Sequence, residues 1–201
     1  MLYLIGGSPC SGKSTIAAHL AECYQLIQIK LDDLVEGFTQ SARRDGAPIS
    51  TLREKRTMDQ IWLREPSAMA KEEWAFYEEI FPYLRQYLVE NQNRPMILEG
   101  AGLLPHLISS LDLDVSYLCI TPSADFQRER YAKREWVPYV LQNSSNPQLA
   151  FDNGMNRDIL FAQRCRREAE RLSYPHLLTD GSRRIEEMTE QAAHILGLSN
   201  C

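Results

Sequence analysis

Gly7-Ser8-Pro9-Cys10-Ser11-Gly12-Lys13-Ser14 decides the fold. The octapeptide fits G-x-x-x-x-G-K-S/T, and its flanks are the ones that pattern needs. The apolar run Leu2 to Ile5, ending in Gly6-Gly7, leads in as a buried strand. Ser14 to Cys23 leads out with Ile16, Ala17, Leu20 and Ala21 at helical spacing. A tight turn at such a junction aims successive backbone N–H groups at one anion, and the helix N-terminus adds partial positive charge. Pro9 has no N–H, so the cradle falls mainly to Ser11 to Ser14. Lys13 is expected to reach the β- and γ-phosphates as a cation, and the Ser14 hydroxyl is a ligand for Mg²⁺. The expected nucleotide-binding set is therefore Gly7, Ser8, Pro9, Cys10, Ser11, Gly12, Lys13, Ser14 and Thr15.

Outward from the loop, strand and helix signals alternate, which favours a parallel sheet covered on both faces. Leu26 to Leu31, Pro95 to Glu99, Asp114 to Thr121 and His176 to Thr179 are expected as the second to fifth strands. Gly37 to Ser50 is polar, contains Gly46 and Pro48, and is expected as a loop. Helices are expected over Thr51 to Arg64 and Ser67 to Glu90, parted at Glu65-Pro66, with Pro82 kinking or splitting the second. Ser123 to Arg134, Asn156 to Leu172 and Arg183 to Leu196 read as helices, with Val137 to Asn153 irregular.

The chain of 201 residues, 44% apolar and 24% charged, suits one globular domain or one with a small insertion. A net charge of −5 argues against generic nucleic-acid or anionic-membrane partners. No apolar run approaches the length of a membrane span. The cysteines are odd in number, scattered and free of a C-x-x-C, and are expected as reduced thiols in a cytoplasmic protein. The histidines lack zinc-ligand spacing. Oligomeric state stays open, a homodimer through the aromatic helical stretch being one option.

With these residues in place, Gly-Ser-Pro-Cys-Ser-Gly-Lys-Ser resembles the phosphate loop of the P-loop small-molecule kinases, the superfamily of nucleotide, nucleoside, shikimate and related kinases. Pro9 and Ser11 are shared with adenylate-kinase-type loops. Cys10 stands where that subgroup often has glycine, and reads as small-residue packing, with an oxidation-sensitive switch as the alternative. The resemblance implies a three-layer α/β fold whose five parallel strands run in the order 2-3-1-4-5. It implies ATP and Mg²⁺ as cofactors and phosphoryl transfer to a hydroxyl or phosphate of a small-molecule acceptor. It also implies an acceptor-binding insertion over 37–92 and a lid over 135–156.

Leu31-Asp32-Asp33-Leu34 follows the second strand, where ligands gather in a doubly wound sheet. It is similar to the strand-end aspartate of shikimate and chloramphenicol kinases. Asp32 is the candidate base, substrate orienter or Mg²⁺ partner through water, with Asp33 second and a helix N-cap as the competing reading. Glu99, ending Met96-Ile97-Leu98-Glu99-Gly100, resembles the Walker B-like acid and is the other carboxylate for Mg²⁺ or the acceptor. Ala101-Gly102-Leu103-Leu104-Pro105 is similar to a stretch of 2-phosphoglycerate-kinase-like proteins.

Arg130 and Arg134 resemble the Arg-x-x-x-Arg that opens the lid in nucleotide-kinase-like proteins, where one guanidinium stacks near the base and the other meets the phosphates. The catalytic set implied is Lys13, Asp32, Arg130 and Arg134, and the metal set Ser14, Asp32 and Glu99. Gly181, within Leu178-Thr179-Asp180-Gly181-Ser182, resembles the turn that borders the adenine. Arg157, Arg164 and Arg167 share a face of the returning helix, and one of them is a candidate to point at the site; ordinary i,i+4 surface pairs, Arg164–Glu168 and Arg166–Glu170, are the competing reading. Arg43, Arg44, Arg53, Lys55 and Arg56 are candidates to clamp an anionic acceptor, and Trp62, Trp74, Phe76, Tyr77 and Tyr83 to wall its pocket. Ordinary core packing and solvated helix faces compete for all of these.

The rival function is a P-loop NTPase that hydrolyses nucleotide as a switch for a protein partner. No Asn-Lys-x-Asp guanine signature and no Asp-x-x-Gly segment at the third strand supports it.

Overall fold

A computed structural model describes residues 1–135 and 137–198. Trp136, the expected start of the lid tip, lies outside them. The chain begins β1 (Leu2–Gly7), α1 (Lys13–Tyr24), β2 (Ile27–Lys30), α2 (Asp32–Arg44), α3 (Pro48–Glu54), α4 (Met58–Trp62), α5 (Pro66–Asn91) and β3 (Met96–Glu99). It continues α6 (Pro105–Ile108), β4 (Val115–Pro122), α7 (Ala124–Ala132), α8 (Val137–Leu141), α9 (Pro147–Arg171), β5 (His176–Thr179) and α10 (Ile185–Leu196).

The strands form one five-stranded sheet in the order β2-β3-β1-β4-β5, every pairing parallel. Successive strand residues face opposite sides, so each inner strand needs apolar residues at every position. Leu4, Leu98 and Tyr117 pack against Trp74 and Leu84 of α5 and Phe161 of α9. Their chain neighbours Ile5, Ile97 and Leu118 pack against Ile16 and Leu20 of α1 and Met188 and Ala192 of α10. The result is the three-layer P-loop kinase arrangement, with β1 central and the turn after it at the carboxyl edge of the sheet.

Four sequence expectations need correction. Gly37 to Ser50 is mostly helical, divided between α2 and α3. Asp32 and Asp33 in the first turn of α2, and Arg43 and Arg44 in its last, complement the helix dipole. Val35, Phe38 and Ala42 of α2 meet Phe76 and Ile80 of α5, an apolar stripe that a largely polar composition hides. The α5 helix runs 26 residues through Pro82 without a break. Pro82 sits on the exposed side while Phe81, Leu84 and Leu88 are buried. A mid-helix proline costs about 3 kcal/mol, and each large apolar side chain buried on the other face returns about 1.5–3 kcal/mol.

The stretch Val137 to Asn153 is not irregular: α8 occupies its start and α9 begins at Pro147. Asn146 caps α9 by accepting from the Leu149 N–H at 3.1 Å, and Pro147 takes the first helical position. Of the two surface pairs offered as the competing reading of the α9 arginines, Arg164–Glu168 does not form: Arg164 stacks on Trp74 at 3.9 Å, and Glu168 takes Arg171. Arg166 does meet Glu170, at 2.8 Å. Cys10, Cys119 and Cys165 are free thiols, whereas Cys23 is disulfide-bonded, against the expectation of reduced thiols throughout. No helix among the described residues is long and apolar enough to cross a membrane.

One carboxylate ties the helices between β2 and β3 together. Glu72 of α5 accepts two hydrogen bonds from Arg64, at 2.8 and 3.1 Å, and a third from Arg56. Burial alone would raise the Glu72 carboxyl, but the two guanidiniums overcome it and hold the group at about 2. A carboxyl depressed on folding adds stability above its unfolded value, and that stability disappears as the pH falls through the folded value. Glu72→Gln is therefore expected to lower the urea midpoint at pH 7. The gap from the unsubstituted protein should shrink steadily as the pH is lowered from 4.5 toward 2.

Candidate active site

Between β1 and α1 the backbone turns on two left-handed residues and a glycine that no side chain can replace. Gly7 has φ 124°, and a Cβ there would lie 1.8 Å from the Ile120 carbonyl oxygen of β4. Cys10 has φ 63° and Gly12 φ 83°. Cys10 thus holds a conformation that costs a non-glycine residue about 1 kcal/mol, which gives a physical reason for glycine at this position in related loops. Gly12 stands just ahead of α1, so the first N–H groups of that helix have no intrahelical acceptor and point into the turn.

The loop is braced from three sides. Lys13 is buried, and its Nζ donates to the Ser8 carbonyl at 2.7 Å and to Ser11 Oγ at 3.3 Å. Thr179, at the end of β5, donates its hydroxyl to the Ser11 carbonyl at 2.7 Å. Gln127 of α7, wholly buried, donates to the Pro9 carbonyl at 3.1 Å. Gln127 was not among the sequence candidates, and Thr179 was noted only as part of a turn. Their signal is long-range: each acts across more than a hundred residues, and nothing local marks it.

A cleft of about 410 Å³ opens on this loop, lined by Lys13, Ser14, Asp32, Glu99, Tyr77 and Tyr131, among others. Asp32 reaches it from the first turn of α2, immediately beyond β2. Glu99 reaches it from the end of β3, the neighbouring strand. Asp33, one residue on, is exposed and does not line the cleft. Burial pushes the Lys13 ammonium down, while Glu99 and Asp32 pull it back up. Burial likewise pushes Glu99 up, opposed by Lys13 and by a hydrogen bond with the Ser14 side chain. Burial raises the Cys10 thiol as well, against the pull of Arg134 and Lys13.

Ser14, Asp32 and Glu99 together offer only oxygen donors, the set Mg²⁺ prefers. Among the described residues no group of three or more acidic, histidine or cysteine side chains forms a metal cage. Such a site fits an ion that completes its shell with phosphate oxygens and water.

A second cavity, of about 600 Å³, continues from the loop along Phe126, Arg130, Arg134, Gly181, Arg183 and Ile185. Arg130 stacks on Phe126 and Arg134 on Tyr131, each at 4.9 Å. Arg134 borders both cavities; Arg130 borders only this one. Gly181, with φ 87°, sits in a turn closed by the Ser182 N–H and hydroxyl donating to Asp180 Oδ1. Arg183 was missed from the sequence; it donates to the Leu178 carbonyl at 2.8 Å.

The candidates between 37 and 92 divide. Tyr77 lines the cleft beside Lys13, and Trp62 a smaller cavity under α8 and α9. Trp74 and Phe76 belong to the core, and Tyr83 bonds to Asp45. Arg43 bonds the Ser50 carbonyl and Glu54, and Arg44 bonds Ser41; neither lines the cleft.

No family model and no curated protein sequence matches the chain. Solved structures match it along nearly its whole length. Shikimate kinase from Bacteroides thetaiotaomicron superposes with a TM-score of 0.56 at 15% identity, covering 98% of this chain and 99% of that one. Shikimate kinase from Acinetobacter baumannii, solved in complex with shikimate, gives 0.53 at 17% identity, covering 98% and 92%. A sugar kinase from Janibacter sp. gives 0.51 at 14% identity, covering 98% and 95%. The chain has the P-loop kinase fold, and structures of small-molecule kinases are among those it resembles.

Thr179→Val keeps the shape of β5 but leaves the Ser11 carbonyl without its donor. It is expected to cost about 1 kcal/mol of stability in urea denaturation.

Proposed function

We propose that the protein is an ATP- and Mg²⁺-dependent kinase that transfers the γ-phosphoryl group to a hydroxyl of a small-molecule acceptor. One observation carries this reading. The amide-rich turn, a buried lysine and two carboxylates from adjacent strand ends converge on a single cleft, which continues past the loop to Tyr77 and Tyr131. Space for a second reactant beside the phosphates supports transfer over hydrolysis coupled to a protein partner.

On this reading the amides of Ser11 to Thr15 and the Lys13 ammonium hold the β- and γ-phosphates, with Gly7 to Gly12 giving the turn its shape. The adenosine lies along the second cavity, beside Gly181 and Arg130. Ser14, Asp32 and Glu99 hold Mg²⁺, directly or through water; the ion supplies charge neutralisation at the phosphates. Asp32 orients the acceptor hydroxyl and accepts its proton as the oxygen attacks the γ-phosphorus. The bond from that phosphorus to the β–γ bridging oxygen breaks, and ADP carries away the electron pair. Arg134, and Arg130 behind it, offset the charge that grows on the departing oxygen. Residues 37–92 form the acceptor-binding insertion and 135–156 the lid that excludes water.

Lys13→Ala is expected to reduce turnover by about 100-fold or more while circular dichroism shows the fold intact. Asp32→Asn should lower kcat by about 100-fold or more. Labelled ATP with a panel of small hydroxyl compounds is the assay. Unchanged transfer by the Lys13 variant would remove the assignment.

A further inference from the structure

The short helix α4 is tied to α5 on both sides. Arg56, just before it, and Arg64, just after it, both donate to the Glu72 carboxylate. The same α5 carries Tyr77 to the cleft beside Lys13. Whatever holds α4 therefore also acts on the acceptor side. The start of α4 is closed by its own capping box, Thr57 with Gln60, so Asp59 is not needed there.

Asp59 instead reaches the segment between α8 and α9. Its Oδ1 accepts from Ser144 Oγ at 2.8 Å and from the Ser145 N–H at 2.7 Å. Ser144 is buried, and bonds to a carboxylate are stronger than neutral ones. At the other end of α4, the Trp62 carbonyl accepts from Asn153 Nδ2 at 3.1 Å, and Arg157 stacks on the indole at 4.9 Å. A Cβ on Gly154 would lie 3.3 Å from that indole, so α9 passes close to it.

Trp62 and Leu63 also pack against a small apolar cluster of Tyr131, Val137, Leu141, Ala150 and Met155. Cys10, in the turn before α1, packs against the same cluster. It is separate from the two clusters that cover the sheet, and a cavity of about 100 Å³ lies within it. A small core with a void is a weak hold. The polar bonds of Asp59 then weigh heavily in whether this layer stays docked.

We propose that Asp59 is a positioning residue of the lid. It latches the α8–α9 segment to α4, so that the lid and the acceptor-side helix α5 close as one body. The path is contiguous: Cys10 borders both cavities of the nucleotide side, the cluster joins Cys10 to Trp62, and Arg56 and Arg64 pass from α4 to Glu72. Nucleotide bound at the turn before α1 then orders α4, which borders neither nucleotide-side cavity. This inference rests on the kinase reading above.

Hydrogen exchange of the full chain, read by mass spectrometry with and without MgATP, tests it. In the unsubstituted protein MgATP should slow exchange about five-fold or more in α1, in 141–150 and in α4. Asp59→Ala should keep the slowing in α1 and cut that in α4 to less than about two-fold. Asp59→Asn, which keeps an acceptor oxygen, should restore most of it. A residue that only stabilised α4 would speed its exchange with and without nucleotide alike and leave the ratio unchanged. Should Asp59→Ala fail to fold, Ser144→Ala takes its place, with a lowered ratio in α4 and an unchanged one in α1 expected. A ratio in α4 that the substitution leaves unchanged overturns the proposal. So does an α4 that MgATP leaves unprotected in the unsubstituted chain while α1 is protected; either result leaves the kinase reading standing. No slowing in α1 at any MgATP concentration counts against nucleotide binding itself, and both readings fall.

Discussion

The structure depends on a handful of backbone N–H groups that the start of α1 leaves without helical acceptors. Such groups are stable only where an anion or solvent can reach them, so the turn ahead of α1 must stay open and keep one shape. That requirement explains features spread over the whole chain. Gly7 lets β1 pass against the Ile120 carbonyl, Thr179 reaches in from β5, and Gln127 reaches in from α7. The central position of β1 follows too, since only there can strands on one side brace the turn while strands on the other deliver Asp32 and Glu99.

Charge around this turn is arranged by burial as much as by attraction. Lys13 and Glu99 are each destabilised as ions by their surroundings, and each is the other's main compensation. Farther out, Arg53 is held by Glu73, Arg56 and Arg64 by Glu72, and Arg157 by Asp158. A count of cations in the sequence therefore overstates the positive field an acceptor would meet.

Much of this was legible in the residues. The loop motif, the apolar strands and the acids at the ends of β2 and β3 all rely on near neighbours, and so does the β5 turn. The failures share a cause. α2 looked like a loop because its stripe of half-buried Val35 and Phe38 and buried Ala42 is short and diluted by polar residues, and it becomes helical by packing on α5. Pro82 looked like a break because a local rule ignores what the opposite face of α5 buries. The stretch before α9 looked irregular because Asn146-Pro147 is a turn signal and a helix-start signal at once. Spacing left Arg164 open between the site and a surface pair with Glu168, but a neighbouring element offers it the face of Trp74.

By itself the sequence determined the five strands, the tight turn after β1 and the identity of the lysine and the acids around it. Those features follow from patterns within a few residues, where propensity, periodicity and turn chemistry act directly. Only the tertiary structure decided which of the paired aspartates faces the cleft, which distant donors hold the turn, and which arginines are already neutralised. These outcomes depend on distances between elements far apart in the chain, and such distances exist only once the sheet and its two helical layers have packed.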